Sequence, residues 1–174
     1  MIGGNFDIQW THLYEVLERY GDYFIQQARE NLGRNKSYAS GLLGDSMRRT
    51  VEIAGDHFAV FIELQDYWEY VEKGRRPGKF PPPNRIKEWI RVKPVRAYPN
   101  ARGKMPTVEQ LSFLIGRKIA TKGIPPKPFF KPAKEATEQY FKEAIALAID
   151  EDVSTFIEER VIKQLLYNDL FKIL

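Results

Sequence analysis

MRRTVEIAGDHFAVFIEL, residues 47–64, is the stretch on which the fold class turns. Val51 and Ile53, then Phe58, Val60, Ile62 and Leu64, alternate with Arg48, Thr50, Glu52, Ala59, Phe61 and Glu63. A period of two puts the two sets on opposite faces of a pleated strand, and the interruption at Gly55-Asp56-His57 reads as the turn of an antiparallel hairpin. Phe61 stands on the otherwise polar face, so that face is expected to be partly covered by a neighbouring element or another subunit.

Outward from the hairpin the period becomes helical. Before it, Trp10, Leu13, Tyr14, Leu17, Tyr20, Phe24 and Ala28 recur at three-and-four spacing and predict a helix over 10–32, with Thr11 as its N-cap and Gly33 as its stop. RNKSYASGLLGD, residues 34–45, breaks that pattern and reads as a loop with at most a short helical turn. After the hairpin, DYWEYVEKG (66–74) is too short and too aromatic for a free-standing helix, and the prolines of RRPGKFPPP (75–83) exclude both helix and central strand. A short helix is predicted from about Pro83 to Val92 on the face Ile86, Trp89 and Ile90, followed by an irregular, basic stretch over 93–106. Thr107 and Gln110 match a capping box, opening a helix whose stripe is Val108, Leu111, Leu114, Ile115 and Ile119 and whose stop is Gly123. GIPPKPFFKPA (123–133) is irregular, Pro132 opens the last helical region, and a second helical run is expected from about Ser154 through Leu170.

This order predicts an α+β fold: a small antiparallel β-sheet, hairpin-based, packed by a long N-terminal helix and C-terminal helices, with an extended proline-rich basic loop. At 174 residues the chain reads as a single domain, 1–174, with a core over about 10–72 and 107–172 and the basic loop or arm as an insertion over about 73–106. The inner hairpin residues Val51, Ile53, Val60 and Ile62 are expected to face the helix carrying Leu111, Leu114 and Ile115.

Charge is unevenly laid out. Between residues 73 and 104 eleven bases stand against the single acid Glu88, whereas residues 135–174 hold nine acids and four bases. Opposite patches of this kind on identical copies favour head-to-tail meetings, and the basic one also attracts nucleic acid. With no cysteine, the chain excludes disulfides, zinc-thiolate sites and thiol nucleophiles. No basic start with a long apolar run marks a secretory signal and no stretch is long enough for a membrane span, so a soluble protein without membrane contact is expected.

Catalytic constellations are absent from the reading. His12 and His57 lack a partner at metal-ligand spacing and read as surface residues, and the serines sit in no nucleophile-elbow context. Asp66 with Glu69, or Glu69 with Glu72, read as solvated helix acids rather than a proton-sharing pair. The expectation is no enzyme, no cofactor and no metal. The basic stretch leaves three readings open: a solvated loop, a contact between subunits, or a grip on nucleic acid with Phe80, Trp89 and Tyr98 stacking on bases.

Three segments carry a resemblance: the hairpin followed by DYWEYVEKGRRPGKFPPP, then IKEWI (86–90), then LIGRKIATKGIPPKPFFKPAKEA (114–136). Together they resemble the tail-completion family of lambdoid phages, head-to-tail joining or neck proteins of tailed bacteriophages. The matching positions are Tyr67, Tyr70, Val71, Glu72 and Gly74 in a tyrosine-rich turn, and Pro126, Pro128, Phe129, Pro132 and Ala133 around an aromatic before the last helix. The likeness covers residues 37–145 and is silent on the N-terminal helix and on the chain beyond Asp150. WIRVKPV (89–95) and KIATKG (118–123) are similar to versions in phages of gut bacteria, including crAss-like phages.

The resemblance implies a structural virion protein without catalysis, made in the host cytoplasm. It would form a homo-oligomeric ring of six or twelve copies in the connector or neck, against portal, connector or tail proteins and against DNA in the channel. The residues expected to make intersubunit or channel contacts are Arg75, Arg76, Lys79, Phe80, Arg96, Arg102, Lys104, Phe129 and Phe130, one phenylalanine anchoring while the other meets a neighbour. Asp150, Glu151, Asp152, Glu158 and Glu159 form the candidate acidic counter-surface, and residues 75–104 are expected to be dispensable for folding. The alternative is a small non-enzymatic nucleic-acid-binding protein using residues 73–104.

Overall fold

A computed structural model describes residues 8–35, 41–55, 57–92, 95, 97–99, 101–163 and 165–166. Among these the chain is α+β, with α1 (Thr11–Arg34), α2 (Leu42–Asp45), β1 (Arg48–Ala54), β2 (His57–Glu63), α3 (Trp68–Glu72), α4 (Pro83–Val92), α5 (Val108–Lys122) and α6 (Phe130–Phe156), the last running on into a π-helical turn, Ile157–Ile162. The strands form a two-stranded antiparallel sheet in the register Val51↔Val60 and Ile53↔Phe58, extending to Ala54↔His57, so His57, read as part of the turn, belongs to β2, and Gly55 follows β1 at φ 63°. The chain divides into two compact units, each holding parts of α1 and α6.

The first unit comprises residues 1–26, 48–63 and 134–174. Its core is Leu13, Val16 and Leu17 from α1 with Phe141 and Ala148 from α6, and Val51, Ile53 and Val60 of the sheet pack against it. Each fully buried large side chain in such a cluster contributes about 1.5–3 kcal/mol. The inner face of the hairpin therefore meets α1 and α6, not the helix of Leu111, Leu114 and Ile115. Aromatic pairs extend the α1–α6 seam: Tyr23 stacks on Tyr140 at 4.9 Å, and Tyr20 meets Phe141 edge-on at 5.7 Å. Gly21 lets the sheet come close, because a Cβ there would lie 2.6 Å from Arg49 Cδ and 3.2 Å from Val60 Cγ1. Arg49, in the inward row of β1, is anchored across that gap by a fork onto Asp22 at 2.6 and 3.0 Å and by Glu18 at 2.6 Å.

The second unit comprises residues 27–47 and 64–133. Ala28, Leu32, Leu43, Met47, Ile86, Phe129 and Ala133 are buried in it. The stretch expected to be an appended arm is built into this unit. Arg75 and Ile124 exchange backbone hydrogen bonds of 2.9 and 2.8 Å, the Gly78 N–H donates to the Ala120 carbonyl, and the Ser112 hydroxyl donates to the Pro83 carbonyl. Pro81 and Ile86 are buried, so residues 75–92 supply core rather than hang from it. On α5 the buried positions are Ser112 and Gly116, while Val108 and Leu114 are exposed. Close approach selects small residues there: a Cβ on Gly116 would lie 2.3 Å from the Phe80 ring.

Two helix starts differ from expectation. Thr11 is already the first helical residue of α1, and the free N–H groups of that turn are satisfied from far along the chain by Asp152, which accepts from His12 N at 3.0 Å and Leu13 N at 2.9 Å. The second helical run read from about Ser154 to Leu170 starts inside α6, which ends at Phe156, and its positions beyond 166 lie outside the described residues. The capping box at α5 is as read, with Thr107 Oγ1 accepting from Gln110 N and Gln110 Oε1 accepting from Thr107 N.

Candidate subunit interface

The basic face belongs to the second unit, and its geometry starts at Gly74. Gly74 (φ 70°) and Gly123 (φ 73°) directly precede the two residues of the isolated Arg75–Ile124 bridge. A Cβ on Gly74 would stand 2.4 Å from the Ile124 carbonyl oxygen, and one on Gly123 would stand 2.2 Å from that of Arg75. Both conformation and space demand glycine. The bridge fixes the loop that follows: Arg75 Nη2 donates to the Lys79 carbonyl at 2.7 Å, so this guanidinium is partly spent on its own loop. Arg76 and Lys79 are exposed, and Phe80 stacks on Phe113 with ring centroids 5.9 Å apart. Arg102 and Lys104 are exposed on the segment leading into α5, and Arg96 lies outside the described residues.

Glu72, read from the sequence as a solvated acid, has a carboxylate bound by three backbone N–H groups. Its Oε2 accepts from Phe129 N at 2.7 Å and Phe130 N at 2.8 Å, and its Oε1 from Lys131 N at 3.0 Å, so it caps the start of α6. Lys127 N donates to the Val71 carbonyl at 2.9 Å, and Trp68 packs on Phe130 with centroids 4.9 Å apart. The tyrosine-rich turn and the proline-phenylalanine segment thus form one element. Within it Phe129 is fully buried, with its carbonyl accepting from Asn31 Nδ2, while Phe130 is half-buried beside Trp68. Phe129 is an anchor and offers nothing to a neighbour.

Comparison with protein-family models, with curated proteins and with solved structures returned no match.

The acidic stretch sits in the first unit and divides in two. Asp150, Glu151, Glu158 and Glu159 are exposed. Asp152 is 3% exposed and leaves the proposed counter-surface: besides capping α1, its Oδ1 lies 2.8 Å from His12 Nδ1. Burial pushes this carboxyl up, but hydrogen bonds from the Leu13 and His12 backbone and from the His12 ring outweigh that and hold it below the ordinary carboxylate range. The same hydrogen bond raises the His12 imidazole above its ordinary value, against a smaller opposing desolvation. The sequence carried no local signal for this pair, since its members are 140 residues apart. Among the described residues no cluster of three or more His, Cys, Asp or Glu side chains suits a metal ion, and no helix is long and apolar enough to cross a membrane.

Proposed function

We propose that this chain is a structural virion protein of a tailed bacteriophage, a ring subunit of the head-to-tail connector or neck that joins portal or head to tail without catalysis. The observation that carries the reading is the union of the two motifs behind the family resemblance: Glu72 and Gly74 of the tyrosine-rich turn close on the proline-phenylalanine segment through three N–H bonds and a backbone bridge. Residues that look like family motifs here serve one structural purpose, a rigid junction from which exposed surfaces are presented. The separation of bases on one unit from acids on the other supports contact between copies.

The test is assembly. Purified protein examined by native mass spectrometry and negative-stain imaging is expected to form closed rings of six or twelve copies, and phage lacking the gene to accumulate unjoined heads and tails. A chain that stays monomeric, or joined particles made without it, would overturn the reading. A second reading, binding of nucleic acid, rests on the exposed bases Arg76, Lys79 and Arg91. It predicts a gel shift of DNA by the monomer that fades steeply with salt.

A further inference from the structure

Every large apolar side chain described in residues 157–166 is left bare by its own unit. Ile157, Val161 and Leu165 recur every four positions, and Leu165 and Leu166 are 59% and 60% exposed. A helix end that buries no apolar face has little to hold it, and a patch of this size on a soluble chain marks a surface awaiting cover. Four exposed acids, Glu158 and Glu159 within it and Asp150 and Glu151 on the turns before it, outnumber the two exposed bases of the same stretch, Arg160 and Lys163.

A complementary surface exists on α5 of the second unit. Phe113 and Leu114, 58% and 46% exposed, stand over an open depression that also includes Pro106, Glu109 and Gln110. One helical turn further on the same face come the exposed bases Arg117 and Lys118, four residues after Phe113 and Leu114 respectively. The acid in the depression, Glu109, is 3.6 Å from Lys87 and so is already matched. One surface is thus apolar with an acidic flank, and the other is apolar with a basic flank.

Resting on the ring reading above, we infer that residues 157–166 of one copy dock on the α5 face of a second copy, with Val161 and Leu165 against Phe113 and Leu114 and with Glu158 and Glu159 toward Arg117 and Lys118. The two surfaces are different parts of the chain, so the contact is heterologous: each copy gives its C-terminal segment to one neighbour and its α5 face to the other. Such contacts propagate, and close into a ring when the rotation allows. The charged flanks set direction and register while the apolar rows supply burial.

The experiment uses the full chain. In mixtures, Val161→Glu and Phe113→Glu each remove one surface and leave the other, so each alone is expected to be monomeric while the two together give a one-to-one dimer and nothing larger. Glu158→Lys with Glu159→Lys, or Arg117→Glu with Lys118→Glu, should each weaken assembly at least tenfold, and all four in one chain should restore it. These positions are exposed, and circular dichroism checks that helix content is kept; if an apolar variant loses helix, the four-fold charge exchange decides. Because the chain has no cysteine, Val161→Cys on one copy and Leu114→Cys on another report the contact directly as an interchain disulfide. Rings that form unchanged in all these variants would overturn the docking and leave the ring reading standing. A wild-type chain that never self-associates would overturn both, and an intrachain disulfide in a monomer carrying both cysteines would assign the α5 face to the chain's own segment.

Discussion

Asp152 takes three hydrogen bonds at once, from two N–H groups of the first turn of α1 and from the His12 ring, and its protonation state governs how that turn is held. The folded pKa of the carboxyl lies below its ordinary 3.8, so the stabilisation is present above that value and is lost as pH falls through the folded value. The folded pKa of His12 lies above its ordinary 6.5, so its contribution is complete below 6.5 and is lost as pH rises through the folded value. The pair should stabilise the chain most between about pH 4 and 6.5. Urea unfolding across pH, followed by circular dichroism, is expected to show Asp152→Ala costing about 1–3 kcal/mol inside that window and much less once pH has fallen through the folded value of the carboxyl, below the window. His12→Gln should remove the alkaline limb alone. If the difference between wild type and Asp152→Ala does not vary with pH, Asp152 is not the cap described.

At the scale of elements, the Glu72 carboxylate, the Arg75–Ile124 bridge and the Trp68–Phe130 contact join α3 to the start of α6. Glu72→Ala leaves the N–H groups of Phe129, Phe130 and Lys131 without their carboxylate and is expected to cost about 2 kcal/mol, with Glu72→Gln recovering part of it. Gly74→Ala meets both a left-handed backbone and a carbonyl oxygen 2.4 Å away, and should cost on the order of 3 kcal/mol. Both are read by hydrogen exchange at residues 64–133, where protection should fall; unchanged protection in Gly74→Ala would mean that the bridge is not formed in solution. The same contacts predict that exchanging residues 75–92 for a flexible linker would unfold this unit, seen as loss of helix content by circular dichroism. High proline and charge density looked like an arm in the sequence, yet proline also fixes a loop at low entropic cost, and here it fixes one against α5.

For the whole molecule, the proposed assembly would draw part of its affinity from exposed charges of opposite sign on different copies, which salt screens. Raising salt shortens the Debye length from about 10 Å at 0.1 M to about 3 Å at 1 M, so self-association measured by sedimentation should weaken across that range while the thermal midpoint moves little. An association that strengthens with salt would place the contact entirely on the apolar rows. The sequence by itself determined the α+β class, the two alternating strands of the hairpin, α4, and both the capping box and the stop of α5, because each is set by side chains a few residues apart: alternation at Val51 to Leu64, Thr107 with Gln110, Gly123 at a helix end; the register, with His57 paired to Ala54 instead of in the turn, came from the structure. The division into two units, the partner of the hairpin, the buried Ser112 and Gly116, and the carboxylates of Glu72 and Asp152 were decided only by the tertiary structure. Those depend on which distant segments meet, and a carboxylate capping a helix 140 residues away leaves the same local trace as a solvated one.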